Sequence, residues 1–399
     1  MKNNHTKKYM KFNLFTFLFV FLFSYSCLFN HKVSADFETT FANEIYNTAL
    51  KAINEKFFFK SNLNTEKWET RFKDKIVTVG DAHKYISKLV KGLNDPYTRF
   101  LSCEEFKDEQ DIMKSSFIGV GVKLALNKPQ IIDVIPNSPA DKGGIKPNDY
   151  ITRINSKSTF GLTPSQVAGL LRGEKDTILQ IKIKRENQTI SKTLKREELN
   201  FKVISSKSLG NNIALVKIDS FIPENTSKLF REELTKVMSA NGLIIDLRNN
   251  SGGLLKNAVE IADMFLSEGK IVSTTSYIEK KNQYANSNVL YNSPIVILVN
   301  ENTASASEIL TSALRENNKA IVIGKRTFGK GLVQEIVKLP DDSALHVTIG
   351  TYLTPSGKNI NKSGITPDKV VNNNEDQIQA AKKILIYYKN KDISRIALR

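Results

Sequence analysis

Two cysteines, four histidines and one tryptophan in 399 residues rule out several kinds of protein at once. Cys27 lies in an apolar N-terminal stretch, so beyond residue 35 Cys103 stands alone and no intrachain disulfide is open to it. Only His83 and His346 remain there as histidines, too few for a zinc site of the usual nitrogen and sulfur ligands. The chain also lacks a Gly-x-Ser-x-Gly elbow, and with so little histidine an ordinary Ser-His hydrolase is not expected. Acid is in deficit: 58 Lys and Arg face 41 Asp and Glu, a formal charge of +17. Five of those lysines and no acid fall within residues 1–35, which leaves +12 for residues 36–399. The basic residues are interspersed with acids and form no stripe with aromatics. A basic solvated surface is therefore expected, compatible with an anionic membrane face, and nucleic acid is not an expected partner.

Long hydrophobic runs are missing too, except at the start. Lys2, Lys7, Lys8 and Lys11 precede an uncharged stretch from Phe12 to Asn30, and Val33-Ser34-Ala35 follows with small residues. This pattern predicts a signal peptide over residues 1–35, cleaved before Asp36. The alternative is an uncleaved membrane anchor, since the stretch approaches the ~20 residues that span a bilayer. Ser24 stands where a lipoprotein signal ending at Cys27 would carry an aliphatic residue. The expectation is an exported protein, periplasmic or otherwise on the extracytoplasmic face of a membrane.

Phe37, Phe41, Ile45, Ala49, Ile53 and Phe57 recur every four positions and predict an amphipathic helix. A second helix follows Asp81 until Asn94-Asp95-Pro96-Tyr97 breaks it, so residues 36–112 read as a helical N-terminal region. Short strands then take over: Ile118–Val122, Ile131–Ile135, Asp149–Ile154, Ile178–Ile183 and Thr189–Leu194, with a helix at Pro164–Leu171. Residues 113–198 are thus a small β-domain. From residue 199 to 375 strands and helices alternate, with continuous apolar strands at Leu243–Leu247 and Ile295–Val299 of the buried, parallel kind. An α/β core is expected, closed by a helix within residues 376–399.

Two residues draw attention. Ser305 follows a buried strand at the start of a helix, and Lys330, in Thr327-Phe328-Gly329-Lys330-Gly331, lies 25 positions on. Ser305-Ala306-Ser307-Glu308 reads first as a capping box. The same geometry suits a nucleophile, because free N–H groups and the positive helix end would face a developing oxyanion. Ala306 N–H would be one donor, and the Gly252-Gly253 turn could bring another. Lysine can activate a serine only when neutral, and only about 0.04% of free lysine is neutral at pH 7. Lowering its pKa by roughly 3 units costs about 4 kcal/mol, within the reach of desolvation. Gln334, four residues on in a strand, would share a face with Lys330 and could accept a hydrogen bond from the amine. Gly324–Lys330 imitates a phosphate-binding loop, but Gly331 replaces its Ser/Thr and a strand follows, which excludes nucleotide binding.

Several segments resemble the carboxyl-terminal processing proteases: Asn94–Phe100, Gly119–Val122, Pro136–Ala140, Leu247–Gly253, Ala304–Glu308, Thr327–Gly331 and Tyr352–Gly357. The resemblance covers nearly everything after residue 35, in order. It implies a crotonase-like (ClpP-like) α/β core with an inserted PDZ domain and helical segments at both ends, and a Ser-Lys endopeptidase without cofactor or metal. On the matching motifs Ser305 is nucleophile, Lys330 general base and Gln334 its orienting residue, with Ala306, Gly252 and Gly253 at the oxyanion. The PDZ domain would take a substrate's apolar C-terminal tail as an added strand. Gly119, Val120, Gly121 and Val122 would cradle it, and Val167, Leu170 and Leu171 would line the groove. Arg172 would couple that domain to the protease site. Protein substrates with exposed apolar tails are the implied partners, and a homodimer and an adaptor or regulatory protein remain open. Ser251 departs from the family's common proline, and Glu316 stands where some members carry a third polar residue.

Overall fold

A computed structural model of the chain describes residues 36–390 except 64, 114, 115, 201 and 202. The expected signal segment and residues 391–399 lie outside the described residues. Among the described residues no helix is long and apolar enough to cross a membrane. The chain forms two compact units, one of residues up to 102 together with 336–347, the other of residues 103–335 together with 348 onward.

At the centre of the larger unit lies a six-stranded sheet. Its strands run in the order Ile204–Ser208, Ile213–Ile218, Gly242–Asp246, Ile295–Val299, Ala320–Gly324 and Lys369–Val370. The first pair is antiparallel and every later pair parallel. Gly242–Asp246 and Ile295–Val299 are buried at every residue, as continuous apolar runs require when both faces of a sheet are covered. One face packs on helices Thr226–Thr235, Leu255–Asp263 and Ala306–Glu316 through Phe230, Ile261 and Leu310. Ile244, Val296 and Leu298 on the other meet Ala381 and Leu385 of helix Asn374–Asn390. That helix lies so close that a Cβ at Gly242 would come within 3.1 Å of Leu385.

A second sheet pairs Lys270–Ser276 with Lys280–Tyr284 and, through Ser273 to Ser276, with the end of strand Ala344–Leu353. Neither of the first two strands is expected from the sequence. Lys280–Tyr284 is polar and largely exposed, and Lys270–Ser276 buries Ile271, Val272 and Ser273 in succession, so neither shows apolar alternation.

Residues 116–200 form the small β-domain. Strands Lys157–Ser158, Tyr150–Ile154, Ile178–Arg185 and Gln188–Lys195 make one sheet, and helix Pro164–Leu171 starts from a Thr163–Gln166 capping box with Pro164 in its first turn. Ile131, Ile151, Val167, Leu179, Ile181 and Ile183 form its core. The expected strand Ile118–Val122 is in fact two, Ser116–Gly119 and Val122–Leu124. The break is at Gly121, whose φ of +86° leaves the extended region and whose missing Cβ would collide with Ser138 at 2.3 Å.

In the smaller unit, helix 36–56 buries Ala42, Ile45, Ala49 and Ile53 on one face. Helix Val79–Gly92 begins at a Thr78–Asp81 capping box. The break after it is held by Asp95, which accepts from the N–H groups of Tyr97 and Thr98. Strand Arg99–Leu101 then pairs antiparallel with Ala344–His346. The unit ends at residue 102, so helix Cys103–Met113 joins the larger one, and residues 336–347 leave the core span to join the smaller.

Candidate active site

Three loops of the larger unit leave the carboxyl ends of neighbouring parallel strands: 247–253 after Gly242–Asp246, 300–305 after Ile295–Val299, and 325–331 after Ala320–Gly324. That end of a parallel sheet is where α/β proteins place their ligands. Hydrogen bonds knit the first two loops together. Thr303 Oγ1 donates to Leu247 O, Ala304 N to Asn250 O, Ser307 Oγ to Asn250 O, and Asn250 Nδ2 to Ile218 O.

Ser305 ends the second loop at φ +55°, ψ −120°. An ordinary N-cap is extended, and even the left-handed region has positive ψ, so capping alone does not account for this backbone. Strain of this kind, held by surrounding structure, concentrates at functional sites.

Glu308 supplies the hold. Its buried carboxylate accepts from Ser305 N–H at 2.9 Å, Gly329 N–H at 2.8 Å, Lys330 N–H at 2.9 Å and the Thr327 hydroxyl. Thr327 Oγ1 in turn accepts from Ile365 N–H, which leaves its own proton for Glu308. Burial raises the Glu308 pKa above its usual value, against four hydrogen bonds that favour the ionised form. From the other side the Tyr352 hydroxyl reaches Lys330 O at 2.6 Å and Ser305 O at 3.3 Å. Ser305 and Lys330 are therefore tied backbone to backbone twice, once through a carboxylate and once through a phenol. Sequence reasoning found the Glu308–Ser305 half of this device through the capping box. It missed the Glu308–Lys330 half and Tyr352, although Tyr352 opens one of the segments singled out above.

Gln334 lies in strand Leu332–Lys338, and its Nε2 is buried with no hydrogen-bond partner among the described residues. A buried amide donor left unpaired is costly and marks a place where another group belongs. Glu316, by contrast, is at the far end of the Ser305 helix, eleven residues or roughly 16 Å along, where its carboxylate accepts from Ser356 N–H. It is not part of this site.

Gly252 has φ +97°, and a Cβ there would lie 2.9 Å from Ala306 N and 2.8 Å from Ser305 Cβ. Only glycine leaves the first N–H of the helix uncovered. Gly252 N–H itself donates to Asn250 Oδ1 at 2.9 Å. Gly253, φ +145°, is pressed against Phe221, whose backbone brackets it through Phe221 N–H to Gly252 O and Leu254 N–H to Phe221 O. Among the described residues neither Ala306 N–H nor Gly253 N–H is given to an acceptor.

In the small β-domain, Val120 O accepts from Ala140 N–H and Gly121 O from Ile135 N–H. Val122–Leu124 pairs only with Ile131–Val134 among the described strands, so its second edge carries no strand. Gly119 is taken up in pairing with Glu197. Val120, Val167 and Leu171 are buried in the domain core, whereas Val122 and Leu170 are half-buried at its margin. Arg172 caps the helix, and its charge acts on the carboxyl of Asp108, whose pKa burial raises. Lys123, on the open-edged strand, donates to Asp219 O at 2.8 Å, and burial lowers its pKa to about 8. Among the described residues no three His, Cys, Asp or Glu side chains gather as a metal site would need.

Residues 212–371 match the peptidase family S41, and residues 130–185 match the PDZ domain. The chain is 34% identical over 289 residues to the carboxy-terminal processing protease CtpA of Bacillus subtilis, covering 71% of this chain and 62% of that one. It is 34% identical over 314 residues to a probable CtpA-like serine protease of Staphylococcus epidermidis, covering 77% and 62%. The chain thus spans 62% of the length of each of these relatives. The solved structure of the photosystem II D1 C-terminal processing protease matches with a TM-score of 0.70 at 27% identity, covering 82% of this chain and 92% of that one. Residues 212–371, which hold the Ser305–Lys330 site, belong to the peptidase family S41, and the small β-domain is a PDZ domain.

Proposed function

We propose that this chain is a serine endopeptidase that cleaves proteins near their C-termini by a Ser-Lys mechanism on a crotonase-like core. What carries the reading is the double tie of Ser305 to Lys330 through Glu308 and Tyr352, at a strained helix start whose first N–H is uncovered. The Lys330 amine takes the Ser305 proton as Oγ attacks the scissile carbonyl, and the Gln334 amide steers the amine. The oxyanion is met by Ala306 N–H and Gly253 N–H; Gly252, whose own N–H is engaged, keeps the space open. The protonated amine then passes its proton to the leaving amine, and water resolves the acyl-enzyme by the same route in reverse.

The PDZ domain selects substrate by an apolar C-terminal tail, added as a strand along the open edge of Val122–Leu124. The half-buried Val122 and Leu170 offer it apolar surface, while Val167 and Leu171 act from the core behind them. Arg172 stands at the exit of the groove helix as the coupling residue. The chain acts outside the cytoplasm, and pairing with a second copy or a regulatory protein belongs to the same reading.

The test is mass spectrometry of an unfolded protein with an apolar tail after incubation with the chain. Cleavage near the tail is expected, and Ser305→Ala and Lys330→Ala should each abolish it. Undiminished cleavage by either variant overturns the mechanism, and cleavage indifferent to the tail overturns the PDZ role.

A further inference from the structure

The outer face of the PDZ sheet carries charge that the peptidase reading does not use. Along Ile178–Arg185 the inward residues are buried, and Lys182 and Lys184 face out. Register places Arg153 directly across from Lys182, and Tyr150 across from Lys184. On the other side Lys182 meets Ser191 and Lys184 meets Thr189. Three cations therefore stand on adjacent strands with no acid in their rows. Arg153 opposite Lys182 is a like-charge pair, which weakens a sheet unless an anion is brought to it. Acids occur only at the ends, where Asp176 is paired with Lys195 and Glu186 sits in the turn. Beside this face, just past Lys157 and Ser158, Phe160 is 95% exposed.

We propose that this face docks the protein on an anionic lipid bilayer, the cations meeting lipid headgroups and Phe160 entering the headgroup boundary. Cations alone would suit any polyanion. A bare phenylalanine two residues past Ser158, which continues the Arg153–Lys182 row, favours lipid, because an aromatic ring is stabilised at the membrane–water boundary. The face lies on the opposite side of the sheet from the domain core, so docking leaves the open edge of Val122–Leu124 available. The inference does not depend on Ser305 chemistry.

The full chain carrying Phe160→Trp, compared with its parent, reports the contact through quenching by brominated lipids. Residues 1–35 and Trp68 are common to both, so the added quenching reads Phe160 alone. Added quenching is expected with vesicles containing phosphatidylglycerol and not with pure phosphatidylcholine. Lys182→Glu with Lys184→Glu should weaken it about ten-fold or more, as should raised salt on the unaltered face, while cleavage of a soluble substrate is unchanged. Equal quenching on neutral vesicles, or none on anionic ones, overturns the proposal. So does binding of polyglutamate to this face without quenching by lipid, which would assign it to an acidic polypeptide.

Discussion

Tyr352 and Glu308 do the same job by opposite chemistry, one donating to two carbonyls and the other accepting from four donors. Tyr352→Phe removes a single oxygen and leaves the Lys330 carbonyl short of its donor. We expect a loss of about 1–2 kcal/mol in stability, read by denaturant titration, and a fall in kcat with little change in KM. Glu308→Gln keeps the shape but turns an NH2 toward N–H donors, so Ser305 and Lys330 should separate. A hundred-fold loss of kcat is the expected scale, since displacement of about 1 Å suffices. Gly252→Ala should leave the chain folded but inactive by about a hundred-fold or more, because its methyl group would cover Ala306 N–H. Peptide-cleavage kinetics check both, and an active Gly252→Ala variant would remove Ala306 from the oxyanion. Ser305 and Lys330 were legible in the sequence because each follows a strand and sits among small residues. The acceptor that joins them was only half legible, since a capping box announces one partner of a carboxylate and not the loop behind it.

At the scale of elements, the PDZ domain holds an ion pair whose acid is buried. Asp149 is fully buried and accepts from Arg185 Nε and Nη2 at 2.7 and 2.8 Å, and from Lys146 N–H. Burial works to raise its pKa, but these bonds and charges together hold it below the usual value. A carboxyl depressed in the folded state stabilises above its unfolded pKa, about 3.9, and that contribution is lost as pH falls through the folded value. The domain should therefore lose stability below about pH 4, and Arg185→Gln should cost about 2–3 kcal/mol at neutral pH and flatten that acid limb. Thermal melts at stepped pH decide this. Strand Ile178–Arg185 was plain in the sequence, since its alternation matches its burial residue by residue. The break at Gly121 was not, because glycine among β-branched residues reads as strand until the Ser138 contact is known. Lys270–Ser276 and Lys280–Tyr284 were invisible for a simpler reason: one has only Ile271 and Val272 side by side and the other is polar apart from Tyr284, so neither has a periodicity to read.

Across the larger unit, Lys123 links the open-edged strand Val122–Leu124 of the PDZ domain to the segment after strand Ile213–Ile218. Its acceptor, Asp219 O, is two residues before Phe221, which brackets the Gly252-Gly253 turn. Asp133 and Lys217 complete the junction. A lysine whose pKa drops from 10.5 to about 8 on folding binds fewer protons folded than unfolded between those values. Stability should accordingly rise with pH across that window, and Lys123→Met should abolish the rise in chemical denaturation at stepped pH. The same variant should loosen the dependence of cleavage on the substrate's tail.

Leu101 waits for Ala344. The strand that completes the smaller unit arrives more than 240 residues after the segment it pairs with, and no local pattern could announce such a partnership. During synthesis residues 36–101 must therefore stay open until residue 344 and those after it have been made, a non-local closure of the slow kind. A nascent or prematurely terminated chain would hold its N-terminal helices unfinished, ready for chaperones and quality-control proteases. Only a chain made past Val347 can shut.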